Sequence, residues 1–490
     1  MAAIAVASLG ASAPVIAQAS PPAAAAQLPV APVPLAPAPA PPPAPKLSDS
    51  QAKLLRQMLD GASAHGLTGD TSAASVHAAA LDASDGALVT AALDHARALH
   101  VGRLASADYL PAWGLRPPAY DPWPGFLAAV RSDRLASWIA SLPPPYAGYD
   151  ALRRGLTAYR KIEADGGWNV IPDGPDIGPG ASGARVLALR KRLSVEDGDE
   201  SGKSETFDKA LGERVRRAQK RYGLEPTGVA ARQTLAALNV PAGQRVRQIM
   251  ANMERWRWLP ADLPADRIQV NIAAAVLTVF KGDAPVTSMR AVTGRPGDET
   301  PMLQSSIHSI VINPPWNVPQ SIAKKELLPK GAAYLRRAGF KTIPLDGGGV
   351  RLQQKPGEGN SLGRIKFDFD NPYGVYLHDT SSRGTFERYA RMVSHGCVRL
   401  ERPVDLAELV LKGDEKWEGN AVQTAIDAGT TVRARLPQPI SVYLLYWTAF
   451  ASAGGQVSFR ADPYGWDEML ASRIAAGARR APLVTASTAG

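Results

Sequence analysis

The spacing of apolar residues changes near Trp258, and this change restricts the fold more than any other feature of the sequence. Residues 211–222 place apolar side chains at helical intervals, whereas residues 268–272 alternate apolar and polar side chains as a half-buried strand does. With 490 residues, the chain has room for several domains. We therefore predict an α+β multidomain protein, in which a helical scaffold and a compact three-helix unit precede a mostly-β domain.

The N-terminal residues have the composition of an export signal followed by a tether. Residues 1–19 form an uncharged apolar run that ends in small residues, with Ala17 and Ala19 suited to a cleavage site. Residues 20–46 contain 11 prolines, which favour an extended polyproline conformation. No later apolar run reaches the roughly 18 residues that a membrane span requires. We expect a periplasmic protein with a signal peptide and no transmembrane segment in its mature chain.

Breaks in the helical and strand patterns divide the remainder of the chain. We predict a helical scaffold domain over 47–180, a three-helix domain over 181–241, a mostly-β domain over 250–470 and a tail over 471–490. Within the β domain, a proline-rich segment around Trp316 interrupts the sheet and a helical pattern follows it. An insertion of this size between strands is commonly a lid, so we expect a cap at about 319–352. Trp316 itself either stacks on a ligand or packs at a strand end.

Cys397 is the only cysteine in the chain. Exported proteins usually pair their cysteines, so a single thiol there is either buried and inert or a nucleophile. Tyr376 and His378 are two residues apart, as are Cys397 and Arg399, so each pair faces one side of its strand. If the two strands are neighbours, His378 lies beside Cys397. A thiol is mostly protonated at neutral pH, and an imidazole is its usual base.

The residues before the cysteine suggest how an oxyanion would be held. Gly396 has no Cβ, which permits a tight turn and lets the backbone N–H groups around Gly396 and Cys397 approach a substrate carbonyl. His395 either hydrogen-bonds the loop or transfers a proton directly. Asp379 points to the opposite face from His378, so we expect a backbone carbonyl rather than this carboxylate to orient the imidazole.

Charge and motif content exclude several classes of partner. We expect no metal and no cofactor, because the sequence offers no convincing metal-ligand spacing. The formal net charge of +10 either suggests an anionic partner or only keeps the protein in solution. Zinc-finger spacing and the aromatic and basic pattern of RNA-reading sheets are both absent from the sequence, which argues against nucleic acid.

The run Ser-His-Gly-Cys-Val-Arg at residues 394–399, together with His378, resembles the signature of the L,D-transpeptidases, the YkuD-type catalytic domain. The likeness extends over about 250–470. It implies that Cys397 is the nucleophile and His378 the general base and acid. The other candidate residues are those that would shape the pocket and its oxyanion donors, Ser394, His395 and Gly396, and those that would contact substrate, Arg399, Tyr376 and Trp316. Arg399 is included because a guanidinium can bind a carboxylate through two hydrogen bonds.

The resemblance also implies a reaction on peptidoglycan stem peptides. Cys397 would attack the carbonyl of the diaminopimelate residue at position three of a tetrapeptide donor, expel D-alanine and form a thioester. An amine on the diaminopimelate of an acceptor stem would then resolve the thioester, and carbapenems would be inhibitors. The alternatives are an L,D-carboxypeptidase that uses water, a transpeptidase that anchors a lipoprotein, and a non-catalytic peptidoglycan-binding protein.

Residues 181–241 resemble the peptidoglycan-binding type 1 domain. The likeness consists of two apolar helix faces, a glycine turn at 223–228 and a final helix that begins near Thr234. Ala218 stands where an aromatic is usual, and Thr227 replaces the aspartate of the turn. The alternative is a helical bundle with a purely structural role.

Overall fold

The computed structural model describes residues 44–67, 85–198, 203–346, 349–452 and 454–480. The predicted signal peptide and nearly all of the predicted linker lie outside these residues. The described α-helices are α1 Asp49–Asp60, α2 Asp85–Val101, α3 Trp123–Arg131, α4 Leu135–Ala140, α5 Ala147–Ala164, α6 Ala184–Asp197, α7 Lys209–Arg221, α8 Arg232–Leu238, α9 Ala242–Trp256, α10 Gln320–Ile322, α11 Gly331–Arg337, α12 Pro403–Leu411, α13 Ala421–Asp427 and α14 Trp466–Arg480.

The strands follow the last long helix of the helical part, as the change of periodicity near Trp258 predicts. They are β1 Arg267–Asn271, β2 Val276–Lys281, β3 Ala284–Gly294, β4 Leu303–Ile312, β5 Trp316–Asn317, β6 Phe340–Pro344, β7 Val350–Gln354, β8 Ile365–Phe369, β9 Leu377–His378, β10 Met392–Ser394, β11 Val398–Leu400, β12 Val432–Leu445, β13 Ala449–Ala451 and β14 Val457–Phe459. The prediction of an α+β multidomain fold is confirmed.

The main sheet closes on itself. Its order is β10-β3-β11-β9-β8-β4-β12-β1-β2, and β2 also pairs with β3. Apolar and polar side chains alternate along the strands, so one face of each strand is apolar. Side chains such as Ile310, Phe367, Leu377 and Val398 are fully buried on that face. The opposite face of the central strands carries polar side chains, and the candidate active site lies there.

The predicted cap is a small unit with its own core. Strands β5, β7 and β6 form a separate three-stranded sheet, and the helical pieces of residues 320–337 pack against it. Its buried core contains Leu327, Leu335 and Leu352, among others. Because β5 pairs with the end of β7, with Trp316 opposite Gln354, the unit begins and ends slightly outside the predicted bounds of 319–352.

The helical run predicted for the first part of the cap is broken. After α10 the backbone is π-helical over Ala323–Leu327 and 3-10 helical over Leu328–Lys330, and α11 then ends before Phe340, which begins β6. Two residue types explain the breaks. Pro329 cannot donate within a helix, and Gly331 adopts a positive φ of 81° that ends the preceding turn.

The C-terminal segment joins the helical and β parts. Phe459 on β14 is fully buried and stacks on Tyr222, the residue that follows α7, with ring centroids 5.9 Å apart. It also meets Tyr159 of α5 edge-on at 5.3 Å. Helix α14 buries Leu470 and Ile474. It extends through the predicted start of the tail at residue 471, because apolar residues continue at helical spacing beyond that point. None of the helices in the described ranges is long and apolar enough to cross a bilayer.

Candidate active site

The register of β9 and β11 brings the predicted chemical groups together. The two strands are parallel neighbours, with Arg399 opposite His378. On the other side of β9, Lys366 of β8 is also opposite His378. Residues in register on adjacent strands share a face of the sheet, and residues two apart on a strand share it as well. Cys397 and Tyr376, two residues before Arg399 and His378, therefore adjoin the same polar face.

Cys397 is a free, partly exposed thiol at the start of β11. Its environment favours the protonated form, since burial raises the pKa of the thiol above its ordinary value. Groups around it act in the opposite direction. The backbone and hydroxyl of Tyr376, together with the cations Lys366 and Arg399, lower the pKa of the thiol. At rest Cys397 is thus a thiol, with thiolate-stabilising groups already in place.

His378 is buried and neutral. Burial and the positive charge of Arg399 lower its pKa to about 3. Backbone groups of Asp379 and Leu362 act in the opposite direction and raise the pKa of the imidazole, and its Nδ1 atom is buried without a hydrogen-bond partner in the described part of the chain. A neutral ring with one nitrogen uncommitted is suited to accept a proton.

Asp379 does not orient the imidazole. Its carboxylate accepts a hydrogen bond from the backbone N–H of Arg364 at 2.8 Å and pairs with Arg383 at 3.0 Å. The two contacts face away from the ring of His378, as the alternation of side chains along β9 requires. The backbone groups that affect the imidazole are those of Asp379 and Leu362, and an orienting backbone carbonyl stays a prediction.

The loop that carries the nucleophile is held by its own serine. The Ser394 hydroxyl donates to the Cys397 carbonyl at 2.6 Å and accepts from the Gly396 N–H at 3.2 Å. Gly396 has a φ of 105°, a conformation that a side chain would strain. The Gly396 N–H is therefore engaged within the loop, which leaves the Cys397 N–H as the donor better placed for an oxyanion.

His395 contacts the cap. Its Nε2 atom lies 2.6 Å from Oε1 of Glu326, in the π-helical turn of the cap, and Arg295 lies 3.5 Å from the same carboxylate oxygen. The His395 bond lowers the pKa of Glu326 below its ordinary value. Of the two interpretations of His395, a hydrogen-bonding role matches the side chain's position. Sequence reasoning missed Glu326, because nothing near it in the chain marks it as a partner of the motif.

The predicted substrate-contact residues surround the thiol. Tyr376 is close enough to both Cys397 and Trp316 for each to affect the pKa of its hydroxyl, and Trp316 also packs near Phe340 with ring centroids 6.2 Å apart. Arg399 is partly exposed, and its Nε atom has no hydrogen-bond partner in the described residues.

Lys366 completes the site and was not predicted. Its ammonium lies 4.3 Å from the ring centre of Tyr376 and 2.7 Å from Asp368. The alternation of β8 could have indicated that Lys366 faces the polar side of the sheet. Only the strand order places it beside His378. No cluster of three or more potential metal ligands occurs in the ranges the structure describes.

Comparison with known families identifies the β part. Residues 265–424 match the family model described as the L,D-transpeptidase catalytic domain, YkuD. The chain carries a YkuD-type L,D-transpeptidase domain. Two further matches cover the helical part, one to a scaffold domain over 44–156 and one to a "Putative peptidoglycan binding domain" over 182–238. The resemblances drawn from the motif and from the three-helix unit are confirmed at the level of family.

Individual relatives agree with this assignment of the YkuD domain. A curated protein of Haemophilus influenzae, named "Putative L,D-transpeptidase", is 29% identical over 263 residues, which are 49% of this chain and 53% of the relative. The chain thus spans about half the length of that relative.

Solved structures resemble the chain only loosely. An L,D-transpeptidase from Stackebrandtia nassauensis is 14% identical, with a TM-score of 0.23, and the match covers 56% of this chain and 96% of that one. L,D-transpeptidase 3 from Mycobacterium tuberculosis, in complex with a faropenem-derived adduct, is 15% identical, with a TM-score of 0.20 and coverage of 37% and 60%. Such loose superpositions do not bear on the site of this YkuD domain.

Proposed function

We propose that this chain is an L,D-transpeptidase that forms direct diaminopimelate–diaminopimelate cross-links in peptidoglycan through a thioester on Cys397. The observation that carries the proposal is the pairing of β9 with β11. It sets His378, with an uncommitted Nδ1 atom, on the same polar face as a partly exposed thiol. Export to the periplasm, expected from residues 1–19, would bring the enzyme to this substrate.

Acylation uses the neutral resting forms of both groups. As the Cys397 sulfur attacks the carbonyl carbon of the donor diaminopimelate, its proton passes to the imidazole of His378. The carbonyl oxygen becomes an oxyanion, which the Cys397 N–H is placed to stabilise. When the tetrahedral intermediate collapses, the imidazolium gives its proton to the nitrogen of the departing D-alanine. The C–N bond breaks and the thioester remains.

Deacylation reverses these roles. The side-chain amine of an acceptor diaminopimelate attacks the thioester carbonyl and gives a proton to His378. The C–S bond then breaks, the new amide forms, and the thiolate of Cys397 recovers the proton. Lys366 and the Tyr376 hydroxyl stabilise the thiolate as it leaves, since both favour the charged sulfur.

The cations and aromatics around the thiol fit a substrate that carries carboxylates. In the donor stem, the terminal D-alanine carboxylate lies beside the reacting bond and the diaminopimelate side chain ends in a second carboxylate. The Arg399 guanidinium is suited to bind one of them. The domain over 182–238 would hold the same polymer while the YkuD domain acts on its stems. The positive net charge of the chain is consistent with an anionic partner of this kind.

The proposal is tested with the full chain and two substrates. Incubation with a tetrapeptide muropeptide should give an adduct on Cys397 and released D-alanine, and addition of an acceptor stem should give a cross-linked dimer. Cys397→Ala is the control. Absence of an adduct on the wild-type chain would refute the proposed enzymatic activity. An adduct that yields only tripeptide, even with excess acceptor, would establish a carboxypeptidase, and transfer only to a lipoprotein amine would establish an anchoring enzyme.

A further inference from the structure

A buried threonine lies directly beneath the nucleophile loop. Thr300, in the connection between β3 and β4, is fully buried. Its hydroxyl donates to the Gly396 carbonyl at 2.8 Å and accepts from the Gly294 N–H at 2.8 Å. The hydroxyl therefore donates its only hydrogen to the motif, and the Gly294 N–H at the end of β3 orients it.

The bond to Gly396 fixes more than one carbonyl. The Gly396 carbonyl and the Cys397 N–H belong to the same peptide unit, and no cis peptide bond occurs in the described chain. In a planar trans peptide the C=O and N–H groups point in opposite directions. With the carbonyl held down onto Thr300, the Cys397 N–H must point away from the core, toward the side from which a substrate carbonyl would approach.

We propose that Thr300 is a positioning residue that aims the Cys397 N–H at the oxyanion, an inference that rests on the proposed function. Thr300 does not touch the reacting atoms. It acts through the Gly396 peptide, while Ser394 fixes the other side of the nucleophile by donating to the Cys397 carbonyl. The two hydroxyls clamp the peptide units on either side of the thiol.

The C-terminal segment holds Thr300 in place. The Tyr464 hydroxyl accepts from the Thr300 N–H at 3.2 Å and donates to the Gly294 carbonyl at 2.6 Å. Tyr464 is buried and stacks on Tyr446 with ring centroids 5.1 Å apart. The support for the oxyanion donor thus extends through one tyrosine to the residues that precede α14.

The expected effect follows from what such a donor contributes. Loss of one oxyanion donor typically slows an enzyme about 100- to 1000-fold. Removal of the Thr300 hydroxyl would misdirect the donor without deleting it, so the loss should be smaller. We expect Thr300→Val to lower the maximal acylation rate about 10- to 100-fold, while the concentration for half-maximal rate stays within about twofold, because binding contacts are retained.

The experiment measures acylation of the full-length protein by meropenem, a carbapenem whose β-lactam carbonyl would form the same kind of oxyanion. Adduct on Cys397 is followed by mass spectrometry over time at several concentrations. Thr300→Ser keeps the hydroxyl and should remain within about threefold of wild type. The matched control is Thr293→Val, since Thr293 is also fully buried and lies at the end of β3 that contacts Thr300, but its hydroxyl donates to the Ile272 carbonyl rather than to the motif.

Each outcome bears on a separate claim. If Thr300→Val acylates like wild type, or if Thr293→Val is equally slow, the positioning role is wrong. If wild type forms no adduct with meropenem or with a tetrapeptide muropeptide, the proposed function fails instead. Should Thr300→Val not fold, Tyr464→Phe carries the test, with an expected decrease of about 3- to 10-fold in the maximal rate alone. A wild-type rate in that variant would also overturn the inference.

Discussion

The bond between Glu326 and His395 should hold the cap against the nucleophile loop. The two side chains are 2.6 Å apart, with 39% and 27% of their surface exposed, and Arg295 is half exposed at 3.5 Å. Because both side chains are partly exposed, we assign this hydrogen bond about 1 kcal/mol, a typical net value. Glu326→Gln removes the charge and should raise the open population of the cap about fivefold, since 1.4 kcal/mol corresponds to a factor of ten.

Hydrogen–deuterium exchange of the full chain measures this opening. We expect faster exchange in residues 320–337 of the variant at pH 7, with the main sheet unchanged. Glu358→Gln is the control, because Glu358 is exposed and follows the cap. The pKa of Glu326 is lowered in the folded protein, so the bond is present above about pH 4.5 and is lost as the pH falls through the lowered value. Equal exchange in both variants at pH 7 would show that the bond between Glu326 and His395 does not hold the cap closed.

Three further results are expected. Because the pKa of His378 is lowered to about 3, the acylation rate by a carbapenem should show no inflection between about pH 5 and 7, and an inflection near 6.5 would show that the resting imidazole is charged. Below about pH 6.5 only the unfolded chain binds a proton at His378, so the free energy of unfolding should decrease as the pH falls. In denaturant titrations, His378→Gln should reduce this decrease. Phe459→Ala should lower the free energy of unfolding by about 3–5 kcal/mol, because the ring is fully buried against two domains. Phe450 is partly exposed on the same hairpin, so Phe450→Ala should lower the free energy of unfolding far less. Equal decreases for the two variants would contradict the role of Phe459 in joining the helical and β parts.

The chemical core of the site could be predicted because it depends on short-range rules. Alternation along two segments assigned Tyr376 and His378 to one face of their strand, and Cys397 and Arg399 to one face of theirs, before the strands were known to be neighbours. An unpaired cysteine in a chain expected to be exported is either inert or a nucleophile, and a histidine on a neighbouring strand favours the nucleophile. These arguments need only the period of two and the connection length between the strands.

The supporting residues could not be predicted, because each acts across a large separation in sequence. Thr300 lies 96 residues from Gly396, with which it bonds, and Glu326 lies 69 residues from His395. Neither residue belongs to a pattern of its own. The order of strands and the fold of the cap decide which side chains meet them, and these depend on packing throughout the chain.

The junction at Phe459 has a consequence for how the protein is made. The aromatic partners of this ring, Tyr159 and Tyr222, are synthesised more than two hundred residues before it. Until residues 446–480 have emerged, α5, α7 and α9 lack the surface that covers them, and the connection beneath the nucleophile lacks Tyr464. Synthesis from the N-terminus would therefore produce helices whose shared core is incomplete. The last segment to arrive would dock the earlier domains and rigidify the catalytic loop in one late step.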